Sequence, residues 1–177
     1  MTASLERKTK ETTITVSLGE AVAIDTGLPF FDHMLATFAK YAGLPLVLNA
    51  RGDLRHHLME DVALTVGAFV RRLTPATAAR YGERTIPMDD ALVQVVIDVG
   101  GRAYFSGKLA SKLYTHWLRS FATASESTVH LRVLRGTDRH HIIEASFKAL
   151  GLALRQALRD DGVVFSTKGS IEWKETP

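Results

Sequence analysis

The chain has no cysteine among its 177 residues. That absence removes disulfides, thiolate catalysis and sulfur-ligated zinc together, so any metal must be held by imidazole and carboxylate. No apolar run approaches the roughly 18 to 20 residues needed to span a bilayer. The opening MTASLERKTKET is polar and charged, without the apolar stretch of a signal peptide. The expected location is cytoplasmic, with no membrane partner. A basic tract is missing too: 22 Lys and Arg stand against 19 Asp and Glu, a net +3 spread along the chain. A nucleic-acid reader is therefore not the first expectation, although the calculated pI is about 9.3. A few converging arginines and lysines hold a small phosphate without a large net charge.

What is present is enough for a core. Hydrophobic residues make up 46% of the chain and mean hydropathy is near zero, at +0.02. This composition suits one domain or two small fused halves. Seven histidines are the chemical resource.

The periodicity reads as strand, helix, strand, helix, twice over. ETTITVSL (11–18) alternates as a strand, FFDHMLATFAKYA (30–42) has helical spacing, LPLVLNARGD (44–53) is a short strand, and HHLMEDVALTVGAFVRRL (56–73) is a helix with Asp53 as N-cap. After a break at TPATAARYGERTIP, residues 91–109 form one or two strands around a Gly-Gly turn. Residues 113–125 are helical, 127–138 extended, and 140–160 a long amphipathic helix. The expected fold is α+β: two duplicated βαβα-type halves, 1–85 and 86–177, forming a two-layer sheet and helix structure.

The duplication holds residue by residue. GDLRHHLME (52–60) and GTDRHHIIE (136–144) share the frame GxxRHHxxE at an offset of 84. His33 lies 23 residues before His56, and His116 lies 24 before His140. The best-matched positions are Gly, Arg, His, His and Glu, which are poor core fillers. On a helix, i and i+4 share a face, so His56 can meet Glu60 and His140 can meet Glu144. His57 and His141 sit about 100° further round and serve different targets, which suits two separate metal ions. With His33 and His116 the inventory is six imidazoles and two glutamates, enough for two sites with positions left for substrate or water. For His33 alone the alternative is a core or capping role. His130 has no counterpart and is expected to be structural, and Asp61 is a candidate to orient a histidine. Nitrogen and oxygen donors alone admit manganese, iron, cobalt, nickel or zinc.

The segments RKTKET, DTGLPFFDHML, HHxxED, RYGxxxxPMD, HLRVLRG, HHIIEASFKALGxALRQAL and STKG occur in the order and spacing of one enzyme family. From about Arg7 to Gly169 the chain resembles the imidazoleglycerol-phosphate dehydratases of histidine biosynthesis, of the ribosomal protein S5 domain 2-like fold. The resemblance implies a hydro-lyase converting D-erythro-imidazole glycerol phosphate to imidazole acetol phosphate with two manganese(II) ions per active site. It implies metal ligands at His33, His56, His57, Glu60, His116, His140, His141 and Glu144, and catalytic carboxylates among Glu11, Glu60 and Glu144. It implies substrate contacts at Glu11, Arg80, Arg102, Ser166 and Lys168, the last four holding the phosphate. It further implies a 24-subunit homo-oligomer built from trimers, with active sites shared between subunits. The chain departs from the family's usual pattern in LRHHLMED, in MLAT at Thr37, in MDDAL at Asp90 and in GGRA. The chemistry has a stated difficulty, since the hydrogen lost lies beside an imidazole and not a carbonyl. Its expected solution is an imidazolate that expels the hydroxyl through a diazafulvene intermediate, with Glu11 or Glu144 moving the carbon proton.

The rival readings are distinct. A di-metal phosphate-ester hydrolase would release phosphate from the same substrate. An RNA module would place aromatic and basic residues on its central strands, and VQVVIDV and HLRVL lack that interleaving. A shell protein using metal only for assembly would show no turnover when loaded.

Overall fold

The computed structural model describes residues 3–164. Ser166 and Lys168 lie outside the described residues. The elements run β1 (Ser4–Lys8), β2 (Thr12–Leu18), β3 (Ala23–Asp25), α1 (Pro29–Ala42), β4 (Leu46–Gly52) and α2 (Arg55–Leu73), followed by β5 (Tyr81–Met88), β6 (Ala91–Asp98), β7 (Tyr104–Ser106), α3 (Lys112–Ala124), β8 (Thr128–Arg135) and α4 (Arg139–Ala157). Two four-stranded sheets result, ordered β1-β2-β4-β3 and β5-β6-β8-β7. In each, the first three strands pair antiparallel and the short edge strand pairs parallel. The halves thus have the same topology, and each is an α+β unit.

Strand alternation drives one face of each sheet inward. Ile14 and Val16 of β2, Leu46, Leu48 and Ala50 of β4, and Val93, Val95 and Ile97 of β6 are buried. Against these faces lie the apolar stripes of the helices, with α2 on the first sheet and α4 on the second. Helices also meet across the halves, α1 on α4 and α2 on α3. The pairing of the halves therefore adds a layer to the two-layer expectation: helices lie between two sheets. Phe31, Phe38, Trp117, Phe121 and Phe147 are fully buried where the helices meet, with the Trp117 ring stacked on Phe121 at 5.5 Å and tilted against Phe147 at 4.8 Å.

Two glycines set how closely these helices approach. A Cβ on Gly67 of α2 would lie 2.6 Å from the Phe121 carbonyl oxygen of α3, and one on Gly151 of α4 would lie 2.7 Å from the Phe38 oxygen of α1. They are 84 residues apart, the offset of the duplicated motif. The duplication thus preserved the helix contact as well as the histidines.

Three sequence expectations are corrected. The segment read as a break contains β5, whose exposed, proline-bearing YGERTIPM shows little alternation. Strands β1 and β3 precede α1 unannounced, because SLERK and AID are short and half exposed. The N-cap of α2 is Leu54, with no side-chain cap. Asp53 sits one residue too early, and its Oδ1 accepts from the Leu54 N–H at 2.6 Å. Among the described residues no helix is long and apolar enough to cross a membrane.

Candidate functional site

The helix packing brings one histidine from each half onto the HxxxE pair of the other. His140 and Glu144 share a face of α4, and their Nε2 and Oε2 are 2.9 Å apart. His33, projecting from α1 of the first half, brings its Nε2 to 3.4 Å from the same oxygen. The mirror arrangement uses α2 and α3. His56 Nε2 lies 3.4 Å from Glu60 Oε2, and His116 Nε2 lies 3.3 Å from Glu60 Oε1. The His56 and His116 rings stack at 5.1 Å. In each cluster the donor atoms lie within 4.8 Å of one another.

Both clusters offer two imidazole nitrogens and a carboxylate oxygen, a set that suits a divalent transition metal with coordination positions left over. His116 Nε2 is buried and makes no hydrogen bond. A buried ring nitrogen without a partner is costly unless something else fills that role, and an ion beside Glu60 would do so. The donors present fit a metal.

Glu144 is the more enclosed of the two glutamates, its side chain 10% exposed. Burial pushes its carboxyl up, but hydrogen bonds from Lys148 and His140, the Lys148 charge and the His33 contact outweigh that and hold it at about 2. Lys148, whose Nζ is 2.9 Å from Glu144 Oε1, was missed in the sequence. Its signal was there: it lies one helical turn beyond the glutamate.

His57 and His141 join neither cluster. Their rings turn away from it, as the 100° offset requires. His57 Nδ1 is 2.9 Å from Asp53 Oδ1 and 3.6 Å from Glu11 Oε2. His141 Nδ1 is 2.8 Å from Asp90 Oδ1. These hydrogen bonds raise both imidazoles above the usual histidine value. Asp90 is held well below the carboxylate range by the Thr137 N–H, then by His141 and the Asp138 N–H.

The substrate-contact candidates are dispersed. Glu11 stands exposed at the tip of the β1–β2 hairpin. Arg80, at φ 68, reaches Asp98 with Nε and Nη2 at 3.1 and 3.0 Å, and Arg102 is exposed before β7. His130 is exposed on β8, its ring 5.6 Å from Tyr104. Asp61 orients no histidine. It is buried and accepts from Arg7 at 2.9 Å and Thr12 at 2.5 Å, fastening the hairpin that carries Glu11 to α2. Its partners lie 54 and 49 residues upstream, outside any local sequence reading.

Fold and site together define a duplicated α+β protein with two matching candidate metal centres, beside a third donor group at Glu11, Asp53 and His57. The chain belongs to the imidazoleglycerol-phosphate dehydratase family, whose sequence profile matches residues 26–154. It is 40% identical to the imidazoleglycerol-phosphate dehydratase of Dictyoglomus thermophilum, over 96% of this chain and 98% of that protein. The crystal structure of the Pyrococcus furiosus enzyme superposes with a TM-score of 0.87 at 39% identity, covering 94% of this chain and 100% of the other. The Staphylococcus aureus enzyme gives a TM-score of 0.77 at 31% identity, covering 89% and 99%.

Proposed function

We propose that this chain dehydrates D-erythro-imidazole glycerol phosphate to imidazole acetol phosphate in histidine biosynthesis, as a manganese-dependent hydro-lyase of the cytoplasm. The observation that carries the reading is the pair of clusters, each built from both halves. His33, His140 and Glu144 would hold one manganese(II) ion, and His56, Glu60 and His116 the other. Ions held there would supply Lewis acidity toward the substrate.

The residues themselves divide the remaining work. Glu144 is engaged by Lys148 and two histidines and stays ionised, which suits a ligand better than a proton carrier. Glu11 is exposed, with its carboxylate 3.6 Å from His57, and is the better carboxylate to move the carbon proton. Arg80 and Arg102, with Ser166 and Lys168, would anchor the phosphate and so orient the ring.

Distance argues that the site is shared. The Arg80 N–H bonds to the carbonyl of Ala157 at the last residue of α4, whereas His140 lies in its first turn. At 1.5 Å per residue that separation is about 25 Å, far beyond a three-carbon phosphate side chain. Arg80 would therefore serve the clusters of a neighbouring subunit, and His57 and His141 would complete such clusters from outside. The assembly is the 24-subunit shell of trimers, acting on a small phosphate substrate with no nucleic acid or membrane partner.

The test is turnover of imidazole glycerol phosphate by metal-stripped protein, before and after adding manganese(II), with assembly followed by light scattering. Ketone formation without phosphate release is expected, together with a large particle. Phosphate release would favour the di-metal hydrolase, and a reassembled particle without turnover would reject an enzyme.

A further inference from the structure

Two carboxylates meet the two histidines that stand outside the clusters, and they do so on the same ring atom. Asp53 Oδ1 lies 2.9 Å from His57 Nδ1, and Asp90 Oδ1 lies 2.8 Å from His141 Nδ1. An ionised carboxylate only accepts, so in each pair Nδ1 carries the proton, and in the neutral imidazole, the form that binds a metal, Nε2 keeps its lone pair. Among the described residues nothing hydrogen-bonds to His57 Nε2. His141 Nε2 has Asp89 at 3.3 Å, from a side chain that is 72% exposed.

The two halves reach this geometry by different means. Asp53 lies four residues before His57 on its own chain segment. The position 84 residues further on is Thr137, which has no carboxylate. There the acid comes from the β5–β6 turn instead, 51 residues from His141. Asp90 gives one oxygen to the loop, accepting from Thr137 N at 2.7 Å, Thr137 Oγ1 at 3.1 Å and Asp138 N at 3.1 Å, and the other to the ring. The helix caps do not follow the same pattern, because Asp138 caps α4 while Leu54 leaves α2 uncapped. The cap was not kept in both halves, whereas the acid on Nδ1 is present in both.

We infer that Asp53 and Asp90 are positioning residues that fix the tautomer and direction of His57 and His141, so that each presents Nε2 outward as a ligand for a metal centre completed by another copy of the chain. The inference rests on the proposed function, in which these histidines are ligands. A carboxylate on the far nitrogen raises the basicity of a ligating imidazole, and losing it typically costs about 10- to 100-fold in metal affinity.

The test is manganese(II) titration of the assembled protein, with free ion read by its electron paramagnetic resonance signal. The variants are Asp53→Asn, Asp53→Glu, Asp90→Asn, His57→Ala and His141→Ala. Asp90→Asn keeps an acceptor for the Thr137 and Asp138 N–H groups, so the loop is retained. Expected are a loss of about 10- to 100-fold in affinity for each Asn variant, recovery in Asp53→Glu, and a tautomer change at His57 in the nitrogen NMR spectrum of metal-free Asp53→Asn. Wild-type affinity in both Asn variants, with weak binding in His57→Ala and His141→Ala, would overturn the positioning role alone. Wild-type affinity in the two histidine variants would overturn the ligand reading and the inference with it.

Discussion

Gly151→Ala tests whether helix approach sets the metal cluster. In an exposed helix the substitution stabilises by about 0.8–1.0 kcal/mol, because alanine loses less backbone entropy. Here the added Cβ would lie 2.7 Å from the Phe38 oxygen, 2.9 Å from Tyr41 Cβ and 3.0 Å from Ala42 N. None of these atoms can rotate away, so α1 and α4 must separate. Overpacking of this kind costs about 1–3 kcal/mol, and rigid backbone neighbours put it at the upper end. The propensity gain offsets part of that, leaving a net loss of about 1–2 kcal/mol. It reads as a lower urea midpoint at unchanged slope, with metal-free protein at fixed concentration. Glu144 lies about two turns from Gly151 on the same helix, so displacing α1 also widens the gap from His33 to Glu144. Manganese affinity should fall at that cluster and hold at the one built on Glu60. Gly67→Ala, which separates α2 from α3, should do the reverse. Stabilisation of Gly151→Ala by the full propensity value would refute the close approach and the coupling drawn from it.

Other outcomes follow from single contacts. Glu144 titrates at about 2, below its usual 4.5, so its contribution to stability is complete above the unfolded value and is lost as pH falls toward 2. Lys148→Met removes a cation from a buried carboxylate, and should shift that loss to higher pH in acid unfolding monitored by circular dichroism. Asp61→Ala leaves the Arg7 guanidinium and the Thr12 hydroxyl without their acceptor, and should cost about 1–3 kcal/mol in urea unfolding. It should also lower turnover by loosening the hairpin that holds Glu11. Glu144→Gln and Arg80→Ala should each be inactive. Mixed at equal amounts after dissociation and reassembly, they should recover about a quarter of full activity by random subunit exchange; no recovery would mean that each site lies within one chain.

The helices and the histidines and glutamates that cluster were legible in the sequence because both are periodic or duplicated. An apolar stripe at 3.6 spacing marks α1, α2, α3 and α4, and GxxRHHxxE recurs at an offset that no packing rule demands. Of the edge strands, β7 falls in the second strand allowed for residues 91–109, whereas β1, β3 and β5 were not legible. SLERK alternates in burial, but Leu5 is its one apolar residue, and YGERTIPM has its few inward positions interrupted by exposed ones, so neither gives an apolar alternation to read. Contacts made by distant segments were equally hidden: Arg7 to Asp61, Asp90 to His141, and the glycine-mediated approach of the helices. The N-cap expectation failed for a local reason. Asp53 matched the preferred residue type, but an aspartate beside a histidine four residues on has a competing partner, and the helix begins past it at Arg55.

The division of donors between the halves gives the duplication a chemical consequence. Neither half carries a complete cluster: α2 supplies His56 and Glu60 but needs His116 of α3, and α4 supplies His140 and Glu144 but needs His33 of α1. A change in either helix pair would disturb a candidate metal cluster, because both clusters depend on the packing that the two glycines allow. The second imidazole of each motif, His57 or His141, extends the same dependence outward. Its direction is set by the helical repeat, about 100° from its neighbour, so a doubled HH can serve its own chain with one ring and another chain with the next. A single histidine at that position could complete a cluster or reach a neighbour, but not both.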